Sequence, residues 1–164
     1  AHKDIGLARA QVVDGVAATL EYAKGVGMPL AIEPLHPMFA ADRACVNTLG
    51  QALDLCDQLG EGTGVAVDVY HVWWDPDLTR QIARAGRRIL AYHVNDWLVP
   101  TTDLLLDRGM MGDGVIDLRA VRAQVEAAGY VGLCEVEILS ANNWWKRDPD
   151  EVLRVCIERH QKFV

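Results

Sequence analysis

The sequence predicts an α/β fold of the (β/α)-barrel type with parallel strands. One helix is followed by four strand-helix units, about half of such a barrel. Three observations predict it. Short apolar runs alternate with helix-like stretches along the whole chain. The run over residues 65–70 is β-branched and nearly continuous in hydrophobicity, as in a parallel strand covered on both faces. Finally, each run ends in an acid or a histidine: Glu33 after Pro29-Leu30-Ala31-Ile32, Asp68 after Val65-Ala66-Val67, His93 after Ile89-Leu90-Ala91-Tyr92, and Glu137 after Leu133-Cys134-Glu135-Val136. In parallel β/α folds the carboxyl ends of the strands share one face, where such residues converge.

The elements follow in order. Residues 4–26 read as an amphipathic helix, with Leu7, Val12, Val16, Leu20 and Ala23 near helical spacing and Gly25 and Gly27 closing it. Residues 29–34 form the first strand, limited by Pro34. Asn47 or Thr48 caps a helix through Leu59, stopped by Gly60. After the strand at 65–70, Asp75-Pro76 places a cap before a proline at the first helical position, and that helix runs to about Ala85. The third strand is 88–94. A loop from Asp96 to Ile116 carries Gly109, Gly112 and Gly114. Asp117 caps a helix ending at Gly129, the fourth strand is 132–138, and Asp148-Pro149 opens a last helix to about Lys162. Four strands cannot close a barrel of eight, so a missing amino-terminal half, a partner copy, or an open four-stranded sheet must resolve the raw edges. The missing half is our preferred expectation, with a homo-oligomer partner as the other.

Composition narrows the function classes. With 164 residues, about half of them apolar, the chain can bury a core as one domain. No run of about twenty apolar residues predicts a membrane span. The start, Ala1-His2-Lys3-Asp4, lacks the basic-then-apolar order of a signal peptide and also lacks Met, which fits either its removal or a start inside a longer polypeptide. Cys45, Cys56, Cys134 and Cys156 form no C-x-x-C pair, so free thiols and a cytoplasmic location are expected. A net charge of -7 argues against nucleic acid as a partner.

Two glutamates, an aspartate and a histidine form an oxygen-rich donor set with a single nitrogen. It suits one divalent ion, Mn2+, Co2+ or Mg2+, with Zn2+ as a further candidate. Singly, each is more often a cap or a surface charge; placement at four equivalent strand ends is what makes them a set. Glu135 and Glu137 are two apart and point the same way, and we take Glu137 because it lies nearer the carboxyl end. Glu135 would sit one layer deeper, paired or merely structural.

Ile32-Glu33-Pro34-Leu35-His36-Pro37, Val67-Asp68-Val69-Tyr70-His71, Tyr92-His93-Val94-Asn95-Asp96, and Gly129-Tyr130-Val131-Gly132 leading into Glu135-Val136-Glu137-Ile138 resemble the xylose isomerase-like TIM barrel superfamily. Within it they look most like the sugar phosphate isomerases/epimerases. The resemblance covers essentially the whole chain, as the carboxyl-terminal half of such a protein. It implies that Glu33, Asp68, His93 and Glu137 ligate the metal, that Glu33 and Glu137 are also the acid/base pair, and that His71 reaches a substrate oxygen. The implied activity is a divalent-metal-dependent isomerase or epimerase of a small-molecule carbohydrate, moving a proton next to a carbonyl through an enediolate.

Other residues carry two readings each. His36 contacts substrate or lies at the turn between Pro34 and Pro37. Trp97, like Trp73, Trp74, Trp144 and Trp145, stacks on sugar or packs a loop. Arg108, in Asp107-Arg108-Gly109, is a candidate substrate contact. Asp96 orders His93 or caps a turn. Lys146 and Arg147 attract a phosphate or are solvated, and His2 and His160 read as solvated. The glycine loop lacks the Lys-Ser/Thr ending of a P-loop. Rival functions are a sugar or inosose dehydratase, an apurinic endonuclease-like hydrolase (whose extra zinc ligand is absent at Asp107-Arg108-Gly109), and a non-catalytic half-barrel.

Overall fold

A computed structural model describes residues 4–164, so the amino-terminal three residues, including His2, lie outside the described residues. The first helix, α1 (Ile5–Gly25), starts under Asp4, whose Oδ1 accepts from Gly6 N and Leu7 N. Of its expected apolar stripe only Leu20 and Ala23 are buried. Strand β1 (Leu30–Ile32) leads to a single 3-10 turn over Pro37–Phe39 and to α2 (Leu49–Leu59). Thr48, not Asn47, caps α2, accepting from Gln51 N at 3.1 Å, and Gly60 ends it at φ 77°. Asn47 instead donates from Nδ2 to Leu35 O.

Strand β2 (Thr63–Asp68) is buried throughout. The expected strand at 65–70 overruns here, because Val69–Val72 is a helical turn, α3, with Asp68 as its cap. Val69 and Tyr70 are strand-forming residues by composition, and an apolar run cannot signal by its period where strand gives way to helix. A second correction concerns Asp75-Pro76. Helix α4 (Leu78–Ala85) starts later, with Asp77 in the cap position, while Asp75 Oδ1 accepts from Asp77 N in a turn of its own.

Strand β3 (Ile89–Val94) follows, then a small antiparallel pair, β4 (Asp96–Trp97) with β5 (Arg108–Gly109), inside the long loop. Helix α5 (Leu118–Ala127) is capped by Asp117, whose side chain accepts from Ala120 N. Strand β6 (Cys134–Val136) is shorter than the 132–138 expected. Helix α6 (Pro149–Phe163) starts as expected, with Pro149 in its first turn and Asp148 Oδ1 accepting from Asp150 N and Glu151 N.

The main sheet is parallel throughout, in the order β1-β2-β3-β6. Val65, Val67, Ile89, Tyr92 and Val94 pack with Leu49, Leu53, Ile82, Val121 and Val125 of the helices in one core. By strand alternation the other face carries Ala31, Ala66, His93 and Glu135. On that face Ala66 is buried while Ala31 and Glu135 are exposed, and each edge strand has one neighbour among the described residues. Leu133 is 76% and Val131 97% exposed beside β6. The architecture is therefore α/β, with half the strands of a closed barrel.

Candidate metal centre

The four strand-end residues meet. Glu33 directly follows β1, Asp68 ends β2, His93 lies beside Asp68 in the β2–β3 ladder, and Glu137 follows β6 with its backbone N bonded to Val94 O at 3.0 Å. One donor atom from each lies within 4.8 Å of all the others. His93 Nδ1 is 3.6 Å from Glu33 Oε1 and 3.8 Å from Glu137 Oε2. That nitrogen is buried and has no hydrogen-bond partner.

These residues fit a divalent cation. Ligands about 2.1 Å from an ion stand about 4.2 Å apart when opposite each other, so 4.8 Å closes with shifts of a few tenths of an ångström. Hard carboxylate oxygens with one imidazole nitrogen are the donors such an ion prefers.

Three carboxylates so close need positive charge, and Arg108 supplies some. The side chain is 4% exposed, and Nη1 donates to Asp68 Oδ2 at 2.9 Å and to Glu137 Oε2 at 2.8 Å. Its guanidinium lies 4.4 Å above the Tyr70 ring. The acids respond differently. For Glu33, burial pushes the carboxyl up, but the adjacent imidazoles, His93 foremost, and the charge of Arg108 outweigh it and leave it below its ordinary value. For Glu137, burial and neighbouring Asp68 prevail over Arg108, and its carboxyl is raised. The His93 imidazole is raised, chiefly by Glu33.

His71 is buried beside the cluster, its Nε2 3.7 Å from Asp68 Oδ2. Its Nδ1 accepts the backbone N–H of His36 at 3.1 Å. Burial first, then Arg108, holds its imidazole down to about 4, so it is neutral near pH 7 with the proton on Nε2. His36 both caps the 3-10 turn, accepting from Met38 N, and stacks on Trp97 at 4.9 Å. Trp97 also lies 4.7 Å from Tyr70 and 5.7 Å from Trp73.

Asp96 does not touch His93. Its carboxylate accepts four backbone N–H groups, from Trp97, Gly112, Gly114 and Ile116, and so organises the glycine loop. Lys146 and Arg147 are tied to Asn142, Asn143 and Glu151. His160 is partly buried rather than solvated. Sequence reasoning missed Asn95, wholly buried, whose Nδ2 donates to Asp68 Oδ1 at 3.0 Å. Its signal was available, two residues after His93 on the same strand face. Tyr70, the platform under Arg108, gave none.

The chain belongs to the xylose isomerase-like TIM barrel family, whose sequence profile matches residues 1–156. Among solved structures it is similar to protein SMc04130 from Sinorhizobium meliloti 1021, at 66% identity and a TM-score of 0.97, covering 99% of this chain and 60% of that one. More distant folds of the same kind are the IolI protein with a bound zinc atom (22% identity, TM-score 0.77, 93% of this chain and 56% of that one) and 3-keto-D-glucoside 4-epimerase, YcjR, from E. coli (18%, 0.72, 99% and 56%). This chain thus spans about 60% or less of the length of each. No curated protein matches it.

Proposed function

We propose that the chain is the carboxyl-terminal half of a divalent-metal-dependent sugar, or sugar phosphate, isomerase/epimerase. Glu33, Asp68, His93 and Glu137 hold the ion, and Glu33 and Glu137 move the proton. The observation that carries this is the convergence of four strand-end donors within 4.8 Å. The zinc atom of the IolI protein and the epimerase activity of YcjR, two proteins of this fold, support it.

A bound divalent ion supplies positive charge beside a carbonyl, which favours loss of a proton from the neighbouring carbon. The rest is the work of side chains. Glu33 and Glu137 come from opposite edge strands of the sheet and face the site from two sides, as removal and return of a proton on opposite faces require. Each must keep one oxygen free of the ion.

His71 and Arg108 receive a substrate oxygen. With Nδ1 of His71 committed to His36 N–H, its Nε2 is a donor, and Arg108 Nη2 is donor-only. The two stand 3.4 Å apart beside Asp68 Oδ2, and an oxygen of the substrate would accept from both. His36, whose backbone N–H holds His71, stacks on Trp97.

The test is proton exchange. Mn2+- or Co2+-loaded protein, incubated with ketoses in deuterated water, should introduce deuterium next to the carbonyl. Glu33→Gln and Glu137→Gln should each lose about 10^2-fold or more. Absence of exchange in every ketose and ketose phosphate would refute the assignment, and loss of water from the substrate would assign a dehydratase. The open edges of a four-stranded sheet support a second reading, a half-barrel that turns over only when joined to another half.

A further inference from the structure

We infer that Glu135 is a positioning residue for His93: its carboxylate accepts a hydrogen bond from Nε2–H and thereby leaves the Nδ1 lone pair for the ion. The inference rests on the metal-centre reading proposed above.

An imidazole presents its two nitrogens in divergent directions, and a neutral ring holds one proton. The nitrogen that binds an ion needs its lone pair, so the other carries the hydrogen and needs an acceptor. In His93 the division is visible. Nδ1 faces Glu33 and Glu137, while Nε2 faces Glu135 Oε2 at 3.7 Å. Of the three glutamates within 4.0 Å of the ring, Glu135 is the one whose closest approach is to Nε2. Register explains the proximity: in the β3–β6 ladder His93 pairs directly with Glu135, so both side chains leave the sheet on the same face and side by side.

Glu135 is placed for this task rather than for ligation. It is not among the four residues whose donors converge. Unlike Glu137, it makes no ion pair with Arg108, and among the described residues its only basic neighbour within 4.0 Å is His93. Its side chain is 56% exposed, free to rotate through the roughly 0.5–1 Å that separates 3.7 Å from a hydrogen bond. Of two glutamates on one strand face, the outer would bind the ion and the inner would fix the ligand's ring.

The experiment compares Mn2+ affinity by calorimetry, and the ring tautomer of His93 by 15N NMR in the Zn2+-loaded protein, for wild type, Glu135→Leu and Glu135→Gln. Metal-free thermal stability serves as the folding control. Glu135→Leu should weaken Mn2+ binding about 10- to 100-fold. Glu135→Gln should recover most of the affinity, because its amide oxygen also accepts from Nε2–H. The wild-type spectrum should show the proton on Nε2. Wild-type affinity in Glu135→Leu, equal losses in both variants, or a proton on Nδ1 would overturn the role of Glu135 and leave the metal centre standing. Failure of the wild type to bind Mn2+ or Zn2+ would overturn the metal centre itself.

Discussion

Asp68 is wholly buried, and three donors hold its carboxylate: Tyr70 N, Asn95 Nδ2 and Arg108 Nη1. Only Arg108 brings charge. Arg108→Met should therefore leave an uncompensated buried carboxylate and cost about 3–5 kcal/mol, read from urea denaturation of the metal-free protein. A divalent ion would replace part of that charge, so Mn2+ should raise Tm more in Arg108→Met than in wild type. His71 sets a pH dependence of definite sign. Its ordinary value is 6.5, and burial holds it near 4 in the folded protein. Between these values the unfolded chain binds the extra proton. The contribution of a neutral His71 is thus complete above pH 6.5 and is lost as pH falls to about 4, by about 3 kcal/mol. His71→Gln should flatten that part of the stability curve of the metal-free protein. The identities of Glu33, Asp68, His93 and Glu137 were legible because each ends an apolar run; the linkage through Arg108 was not, since Arg108 is forty residues from Asp68.

Among the elements, the segment between β4 and α5 depends on one side chain. Asp96 is 1% exposed and gathers N–H groups from both sides of the glycine loop. A Cβ on Gly114 would stand 2.1 Å from Trp97 O, so the loop closes only with glycine there. Since Trp97 pairs with Arg108 across β4 and β5, this knot also positions the guanidinium. Asp96→Ala should cost on the order of 3 kcal/mol by stranding buried N–H groups, and should raise KM as Arg108 loosens. Asp148→Ala, at an exposed cap remote from the site, should cost about 1 kcal/mol and leave KM unchanged. The two Asp-Pro pairs show how far local signals reach. Asp148-Pro149 opens α6 as its sequence suggests, whereas Asp75-Pro76 is preempted by Asp77, because α3 ends in a turn that delays α4.

For the molecule as a whole, the sheet has two strands with one neighbour each, β1 and β6. Exposed apolar side chains include Met28 and Val26 before β1, Leu133 and Val131 beside β6, and Leu153 and Ile157 on α6, each more than half exposed. Such edges pair with whatever strand is offered. The 164-residue chain by itself should therefore self-associate in light scattering, and Val131→Lys with Leu133→Lys should reduce its apparent mass. A monodisperse monomer in both would contradict that. Apolar period, caps and strand-end ligands were all written locally, so the sequence alone determined the alternating α/β order, the parallel sheet and the four converging residues. Only the tertiary structure decided which side chains balance their charge. Arg108, Asn95 and Tyr70 reach the acids or one another across strand ladders and loops, and contacts between residues far apart in the chain leave no periodic trace in it.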